Sequence, residues 1–156
     1  MFAGTVDKGI CLLEFTDRKM LETEFKSLSK LLNAEIIQGN HTHFDLLQQE
    51  LKEYFEGKLR IFSVPLFTPG TEFQQKAWNA LKDIPYGSTR SYKRQAFEIH
   101  KPDAIRAVAN ANGMNRISII IPCHRVIGED GNLTGYGGGL WRKKWLLDFE
   151  KENVNS

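Results

Sequence analysis

The sequence has few cysteines, few prolines and no long apolar run. Only two of its 156 residues are cysteine, Cys11 and Cys123, and neither belongs to a CxxC pair. Two cysteines cannot build the disulfide framework of a small secreted domain, so a reducing compartment, the cytoplasm, is expected. No apolar run approaches the roughly 18 residues of a membrane helix, and the first residues lack the basic and apolar regions of a secretory signal. We therefore expect no membrane association.

The charged residues are unevenly divided along the chain. The net charge is +2, but residues 1–72 carry 8 Lys and Arg against 11 Asp and Glu, and residues 73–156 carry 13 against 8. The second half is therefore the part that would meet a polyanion such as DNA, although an ordinary solvated surface explains the same numbers. With 41% hydrophobic residues, the chain is expected to fold as one domain or as two small packed lobes.

Residues 1–69 predict a small α/β lobe, and no catalytic grouping stands out in it. Its assignment rests on apolar residues at helical spacing and on short apolar runs. The predicted elements are a buried strand at Gly9–Phe15, an amphipathic helix from Thr16 to Leu32, a short strand at Ala34–Gln38, a helix from Phe44 to Phe55 ended by Gly57, and an extended edge segment at Leu59–Phe67.

Residues 70–156 predict a mainly helical lobe. The turn at Pro69-Gly70 marks its start, and Thr71 with Gln74 forms a capping box. Two short helices joined by a tight turn, from Ser91 to Ile99 and from Ala104 to Asn112, are typical of a helix-turn-helix. The other predicted elements are a helix with the apolar stripe Phe73, Ala77, Leu81 and Ile84, a buried strand at Ile117–Ile121, a glycine-rich stretch at Gly131–Gly139 and a last helix from about Leu140 to Glu150.

The residue types in Pro122-Cys-His-Arg125 are those of a nucleophilic site. A thiol becomes nucleophilic when it loses its proton, and an adjacent imidazole or guanidinium favours that loss. Cys123 has His124 and Arg125 directly beside it, at the end of an apolar run. The alternative is a buried structural cysteine, which is the commoner fate of a lone cysteine, and these residues alone leave both interpretations open. Cys11 lies inside an apolar strand with no base nearby, and for it the structural interpretation is favoured.

These residues closely resemble the active-site signature of the O6-alkylguanine-DNA alkyltransferases. The resemblance covers nearly the whole chain and is strongest from Thr71 to Glu150. It implies an α/β protein in which a small ribonuclease-H-like lobe packs on a mainly helical lobe with a winged-helix-like helix-turn-helix. The matching blocks are Phe73-Gln-Gln-Lys-Ala-Trp78, Ile84-Pro-Tyr-Gly87, Ser91-Tyr92, Arg106-Ala-Val108, Asn115, Ile121-Pro-Cys-His-Arg-Val126, Gly135-Tyr136 with the glycines after it, and Trp145-Leu-Leu147 before Glu150.

The resemblance implies direct reversal of DNA damage. Cys123 would take the alkyl group from O6-alkylguanine, and from O4-alkylthymine, irreversibly and once per molecule. His124 would act as its base through a bridging water, and Glu150 would orient that histidine. Tyr92 would donate a hydrogen bond to the flipped guanine, and Asn115 would brace the turn that holds the active site. The ordinary alternatives are a helix-end carboxylate for Glu150, a core tyrosine for Tyr92 and a turn asparagine for Asn115.

The resemblance also implies that double-stranded DNA containing the lesion is the partner, bound by a monomer. Arg106 would fill the gap left by the extruded nucleotide, and Ala107 beside it would let the helix approach the minor groove closely. Ser91 and Arg125 are assigned to the same DNA-binding surface. A solvated helix arginine is the alternative for Arg106.

The base pocket is assigned to Tyr136, Gly137, Gly138, Val126 and Lys143. Several relatives carry a hydroxyl residue where Gly137 stands, which suggests a roomier pocket here. Lys143 would brace the loop, or is one of several exposed cations.

No organic cofactor and no metal are expected. The glycine stretch fails the G-x-G-x-x-G spacing of a dinucleotide loop, because Leu140 occupies its last position. His41 and His43 form an H-x-H pair, but the set of ligands that a zinc ion needs is not assembled around them.

Three other functions compete with this hypothesis. A non-catalytic alkyltransferase-like DNA sensor would lack Cys123, a transcriptional regulator would need sequence-specific binding, and a thiol hydrolase would release many products per molecule. Relatives usually have more chain before the strand at Gly9, so the first lobe is expected to lack an element or to belong to a longer polypeptide.

Overall fold

The computed structural model describes residues 1–155. Within these residues, no helix is both long and apolar enough to cross a membrane. The first lobe contains the antiparallel strands β1 (Phe2–Val6) and β2 (Gly9–Glu14) and the helices α1 (Leu21–Leu32) and α2 (Thr42–Phe55). The second contains α3 (Glu72–Lys82), β3 (Arg90–Ser91), α4 (Tyr92–Glu98), α5 (Ile105–Gly113), β4 (Val126–Ile127) and α6 (Leu140–Asn153). The predicted fold class, a small α/β lobe packed on a mainly helical lobe, is confirmed.

Strand β2 connects the two lobes. Its six residues are all buried. The Ile10 N–H donates to the Pro65 carbonyl at 2.8 Å, and the Leu13 N–H donates to the Arg116 carbonyl at 2.8 Å. The segment directly before Pro122-Cys123 is therefore held on a strand of the first lobe.

The two lobes share one hydrophobic core. Buried residues from the first lobe pack with buried residues from the second. Each large apolar side chain that is buried in this way stabilises the folded state by about 1.5–3 kcal/mol. The cluster consists of Ile10, Leu13, Leu47, Val64, Trp78, Leu81, Ile84, Ile117, Ile121 and Val126. Neither lobe can therefore move far from the other without exposing apolar surface.

Helices α3, α4 and α5 form the part of the second lobe that precedes the cysteine. Helix α3 begins with the predicted capping box, in which Thr71 and Gln74 exchange side-chain to backbone hydrogen bonds. The Trp78 indole N–H donates to the Ala111 carbonyl at 2.8 Å and fixes α3 against α5. Residues 99–104 connect α4 to α5.

The structure corrects three predicted elements. Ala34–Gln38 is not a strand, because Ile36 and Ile37 are exposed and no strand within residues 1–155 pairs with them. Leu59–Phe67 forms only one bridge, between Leu66 and Ile10. Helix α1 begins at Leu21 rather than Thr16, since turns occupy residues 15–21.

The predicted buried strand at Ile117–Ile121 is also wrong. Only Ile117 pairs with β2, through a bridge to Leu13. The chain then turns: the Ile121 N–H donates to the Ile117 carbonyl at 3.1 Å, and Ile119 has a φ of 73°. The apolar run is buried in a turn, which redirects the chain toward Cys123.

Candidate active site

Cys123 begins a single 3₁₀ turn, Cys123–Arg125, and its side chain is partly exposed. Asn115 holds this turn from below. Its Nδ2 donates to the Ile121 carbonyl at 2.8 Å and to the Cys123 Sγ at 3.3 Å, while its Oδ1 accepts from the Ile117 N–H at 2.9 Å. The position predicted to brace the active-site turn therefore contacts both the turn and the sulfur.

The Cys123 thiol needs a base at neutral pH. Burial raises the pKa of Cys123 above its usual value, while the hydrogen bond from Asn115 and the positive charges of Lys143 and Arg18 act in the opposite direction. Since the raised pKa favours the neutral thiol, a reactive thiolate at Cys123 would require that the proton pass to a neighbouring group.

His124 is suited to accept that proton. It is completely buried, and burial lowers its pKa, so the ring is neutral near pH 7. Its Nε2 lies 2.8 Å from Oε1 of Glu150. An ionised carboxylate only accepts hydrogen bonds, so we assign the proton of the ring to Nε2. Nδ1, which is buried with no hydrogen-bond partner within residues 1–155, is then the basic nitrogen.

Glu150 is held as a carboxylate by several donors. Arg125 donates twice, at 2.8 and 2.9 Å, the Tyr54 hydroxyl donates at 2.7 Å, and the Gly87 N–H donates at 3.1 Å. Burial acts to raise the pKa of Glu150, but the hydrogen bonds from His124 and Arg125 outweigh it and hold this pKa well below its usual value. The charge and position of this carboxylate fix the tautomer of His124.

The assignment of Arg125 to the DNA-binding surface is wrong. Arg125 is only 6% exposed, and its guanidinium contacts Glu150 and the Ile84 carbonyl, the latter at 2.7 Å. A buried carboxylate requires a charged partner. The arginine two residues after the cysteine is therefore the buried charged partner of Glu150.

Lys143 and Tyr92 meet the start of the glycine-rich loop. Lys143 is completely buried and donates to the carbonyls of Thr134 at 2.9 Å and Gly135 at 3.3 Å. The alternative of an exposed cation is therefore wrong. Burial lowers the pKa of Lys143 to about 8. The Tyr92 hydroxyl donates to the same Thr134 carbonyl at 2.9 Å.

The rest of this loop lies against the first lobe. Tyr136 is half-buried and meets the Phe15 ring edge-on, with 6.3 Å between the ring centres. A Cβ added to Gly137 would overlap Nη1 of Arg18, and a Cβ added to Gly138 would lie 2.6 Å from Phe15. The expected roomier pocket at Gly137 is therefore wrong as stated, because Arg18 occupies that space.

Val126, the remaining predicted pocket residue, is fully buried in the shared core. A cleft of about 490 Å³ lies next to the cysteine turn. Pro122 and Arg125 line it, together with Tyr86 and Phe62, but Cys123 does not.

The residues assigned to DNA differ in exposure. Arg106 and Ala107 are exposed on α5. Ser91 is half-buried and caps α4, because its hydroxyl accepts from the Arg94 N–H at 3.1 Å. Arg106 and Ala107 are thus placed for contact with a partner, whereas the Ser91 hydroxyl is already engaged.

His41 and His43 have structural partners. His41 caps α2 by accepting from the His43 N–H at 3.1 Å, and the His43 ring lies 2.9 Å from the Thr5 hydroxyl. Within residues 1–155, no group of three His, Cys, Asp or Glu side chains is placed to hold a metal ion.

A thiol next to a neutral, carboxylate-oriented histidine, on a lobe rich in cations and short helices, is the arrangement of a protein with a cysteine nucleophile. Comparison with known proteins gives the family. Residues 72–152 match the DNA binding domain of 6-O-methylguanine DNA methyltransferase, and residues 5–68 match its ribonuclease-like domain. The chain belongs to the methylated-DNA–protein-cysteine methyltransferase family, and the resemblance seen in the sequence is confirmed.

Individual relatives cover most of the chain. The methylated-DNA–protein-cysteine methyltransferase of Methanosarcina barkeri is 52% identical over 74% of this chain and 73% of its own length. That of Mycolicibacterium paratuberculosis is 44% identical over 96% of this chain and 92% of its own length. Among solved structures, Mycobacterium tuberculosis OGT in complex with DNA has a TM-score of 0.79 and 40% identity, covering 97% of this chain and 86% of that chain.

Three residues that contact this site are not indicated by the sequence. Tyr54, Phe15 and Arg18 all belong to the first lobe, in which no catalytic grouping was found. Tyr54 contacts Glu150, 96 positions away, and Phe15 contacts Tyr136, 121 positions away. Arg18 lies beside Gly137, 119 positions away. No local spacing could have revealed contacts over such distances.

Proposed function

We propose that this chain repairs DNA by transferring the alkyl group of O6-alkylguanine, and of O4-alkylthymine, to the sulfur of Cys123. The observation that carries the proposal is the hydrogen-bonded position of His124. Its Nε2 is committed to Glu150 at 2.8 Å, so the basic Nδ1 remains available beside the residue that bears the thiol.

The reaction is a displacement at the alkyl carbon. The thiol proton of Cys123 passes to Nδ1 of His124 through a bridging water, and the thiolate forms a bond to the alkyl carbon. The bond between this carbon and O6 breaks, and its electron pair stays on the guanine. A proton from the relay or from the Tyr92 hydroxyl then neutralises the guanine. The products are a thioether and an unmodified guanine.

The thioether explains why one molecule would act once. An acyl-enzyme has a polarised carbonyl that water attacks, but a thioether has none. Nothing in the relay of His124 and Glu150 activates the S–C bond, because the basic nitrogen accepts a proton and supplies no electrophilic assistance. The protein is therefore consumed in proportion to the lesions it repairs.

Access to the base requires that the nucleotide leave the DNA stack. Arg106 and Ala107 are exposed on α5, where a small side chain next to an arginine permits close approach in the minor groove. The Tyr92 hydroxyl, which donates to the Thr134 carbonyl, would exchange this acceptor for the guanine. A relative of known structure was crystallised in complex with DNA, which supports DNA as the partner.

Mass spectrometry of the protein after incubation with excess O6-methylguanine duplex tests the proposal. We expect one methyl group per chain, on the peptide that contains Cys123. Cys123→Ala abolishes the gain in mass, and Cys11→Ala, the matched control in buried strand β2, preserves it. Several repaired bases per molecule, or methylation that survives Cys123→Ala, would contradict the proposal.

A further inference from the structure

Arg18 is a nearly buried arginine of the first lobe that reaches the second lobe. Its side chain is 8% exposed. Nη1 lies 2.6 Å from Oε1 of Glu14, and Nη2 lies 2.8 Å from Oε1 of Glu24. Nη2 also donates to the Gly113 carbonyl, at the end of α5, at 2.9 Å. Two carboxylates and a carbonyl therefore fix the plane of this guanidinium.

The fixed guanidinium occupies the space beside the glycine-rich loop. A Cβ at Gly137 would overlap Nη1 and would lie 2.5 Å from Cζ and 3.0 Å from Nε. Nε is buried and has no hydrogen-bond partner within residues 1–155. The Arg18 guanidinium thus occupies the space that a side chain at position 137 would fill. It also places the Nε–H, a hydrogen-bond donor without a partner within residues 1–155, beside that position.

The same part of the first lobe contacts the loop at two further points. Phe15 occupies the space beside Gly138, and the Asp17 carboxylate accepts hydrogen bonds from Nη1 and Nη2 of Arg142, at 2.7 and 3.0 Å. Arg142 in turn donates to the Gly138 carbonyl at 3.0 Å. Residues 15–18 therefore hold the glycine-rich loop against the first lobe. Position 137 requires a glycine because the Arg18 guanidinium occupies the space of a side chain.

We propose that Arg18 is a positioning residue that supplies, from the first lobe, the pocket wall that Gly137 lacks, and that it thereby limits the size of the alkyl group accepted. This inference rests on the proposed function, since it concerns the substrate of the same site. The charge of Arg18 also acts on the Cys123 thiol and favours its ionised form, which agrees with a location at the site.

A double-mutant cycle tests the inference, with the rate of transfer from O6-benzylguanine and O6-methylguanine DNA as readout. Arg18→Ala opens the space, so we expect the benzyl to methyl rate ratio to rise about tenfold, the scale of pocket discrimination between groups of different size. Gly137→Ser alone lowers both rates, because its Cβ meets the guanidinium. In the Arg18→Ala background the serine fits, and the ratio returns toward that of the unmodified protein.

Two further variants separate this role from simple destabilisation. Arg18→Lys keeps the charge opposite Glu14 but lacks the planar group, so it raises the ratio while remaining folded. Arg116→Ala removes another buried arginine, which contacts Ser27 and the Pro69 carbonyl and not the loop, and it leaves the ratio unchanged. An unchanged ratio in Arg18→Ala and Arg18→Lys, or equal effects of Gly137→Ser in both backgrounds, overturns the inference. Absence of methyl transfer in the unmodified protein would instead refute the proposed function.

Discussion

Arg125→Met should destabilise the protein and slow alkyl transfer without weakening DNA binding. The substitution keeps most of the side-chain volume but removes two hydrogen bonds to Glu150, at 2.8 and 2.9 Å, and one to the Ile84 carbonyl at 2.7 Å. Glu150 is completely buried. It would keep only Tyr54, the Gly87 N–H and His124 as partners.

The expected loss is large because the carboxylate cannot reach water. Breaking a buried ion pair by removing one partner costs about 3–5 kcal/mol. For a chain of this length, each kcal/mol lowers the melting temperature by about 2–4 °C, so a decrease of about 10 °C is expected. The transfer rate also falls, at most by the roughly 10²–10⁴-fold that a general base supplies, because Glu150 no longer fixes the Nε2 proton of His124.

Three measurements on Arg125→Met and the control Arg106→Met check this expectation. Urea denaturation gives the free energy of unfolding, single-turnover transfer gives the rate, and DNA binding at several salt concentrations gives the number of phosphate contacts. Arg106 is exposed on α5, so its variant should lower DNA affinity and reduce the salt dependence by about one ion, with stability nearly unchanged. The reasoning is refuted if Arg125→Met instead reduces the salt dependence and leaves the unfolding free energy unaltered.

Two other predictions concern first-lobe residues. Tyr54→Phe removes the hydroxyl that donates to Glu150 at 2.7 Å, and it should lower the free energy of unfolding by about 1.5–3 kcal/mol in urea denaturation, as for other hydrogen bonds to charged groups; a change below about 0.5 kcal/mol would contradict it. Burial raises the pKa of Glu14 to about 7, so the folded state binds an extra proton, and stability falls as pH rises from about 4.5 to about 7. Glu14→Gln should remove this decline, worth about 3 kcal/mol, and parallel stability curves for the two proteins between pH 5 and 8 would exclude it.

The sequence predicts helices better than the segments that lie between them. Thr71 and Gln74 mark the start of α3 because a capping box is a local signal, and the structure contains both of its hydrogen bonds. The apolar run Ile117–Ile121 carries no such signal. Whether it extends or turns depends on β2, which pairs with Ile117 only, and on Asn115, whose amide closes the turn.

The residues proposed for catalysis follow the same division. Cys123 and His124 are adjacent, so the sequence alone suggests them, and the family resemblance supplies Glu150. The role of Arg125 was mistaken because an arginine beside a nucleophile on a cationic lobe is equally compatible with a phosphate contact. Only its burial and its distance to Glu150 decide between the two.

The position of β2 explains how a lobe without a nucleophile would influence the proposed reaction. Its Leu13 pairs with Ile117 through hydrogen bonds to Arg116 and Ser118, a few residues before the cysteine turn. The segment that follows β2 places Phe15 and Arg18 against the glycine-rich loop. Tyr54, on α2 of the same lobe, completes the set of donors around Glu150. The sulfur, the base and the loop are therefore each fixed by contacts that cross between lobes. Because these contacts share one hydrophobic core, a change in the first lobe reaches the reacting atoms through packing and not through a separate moving part.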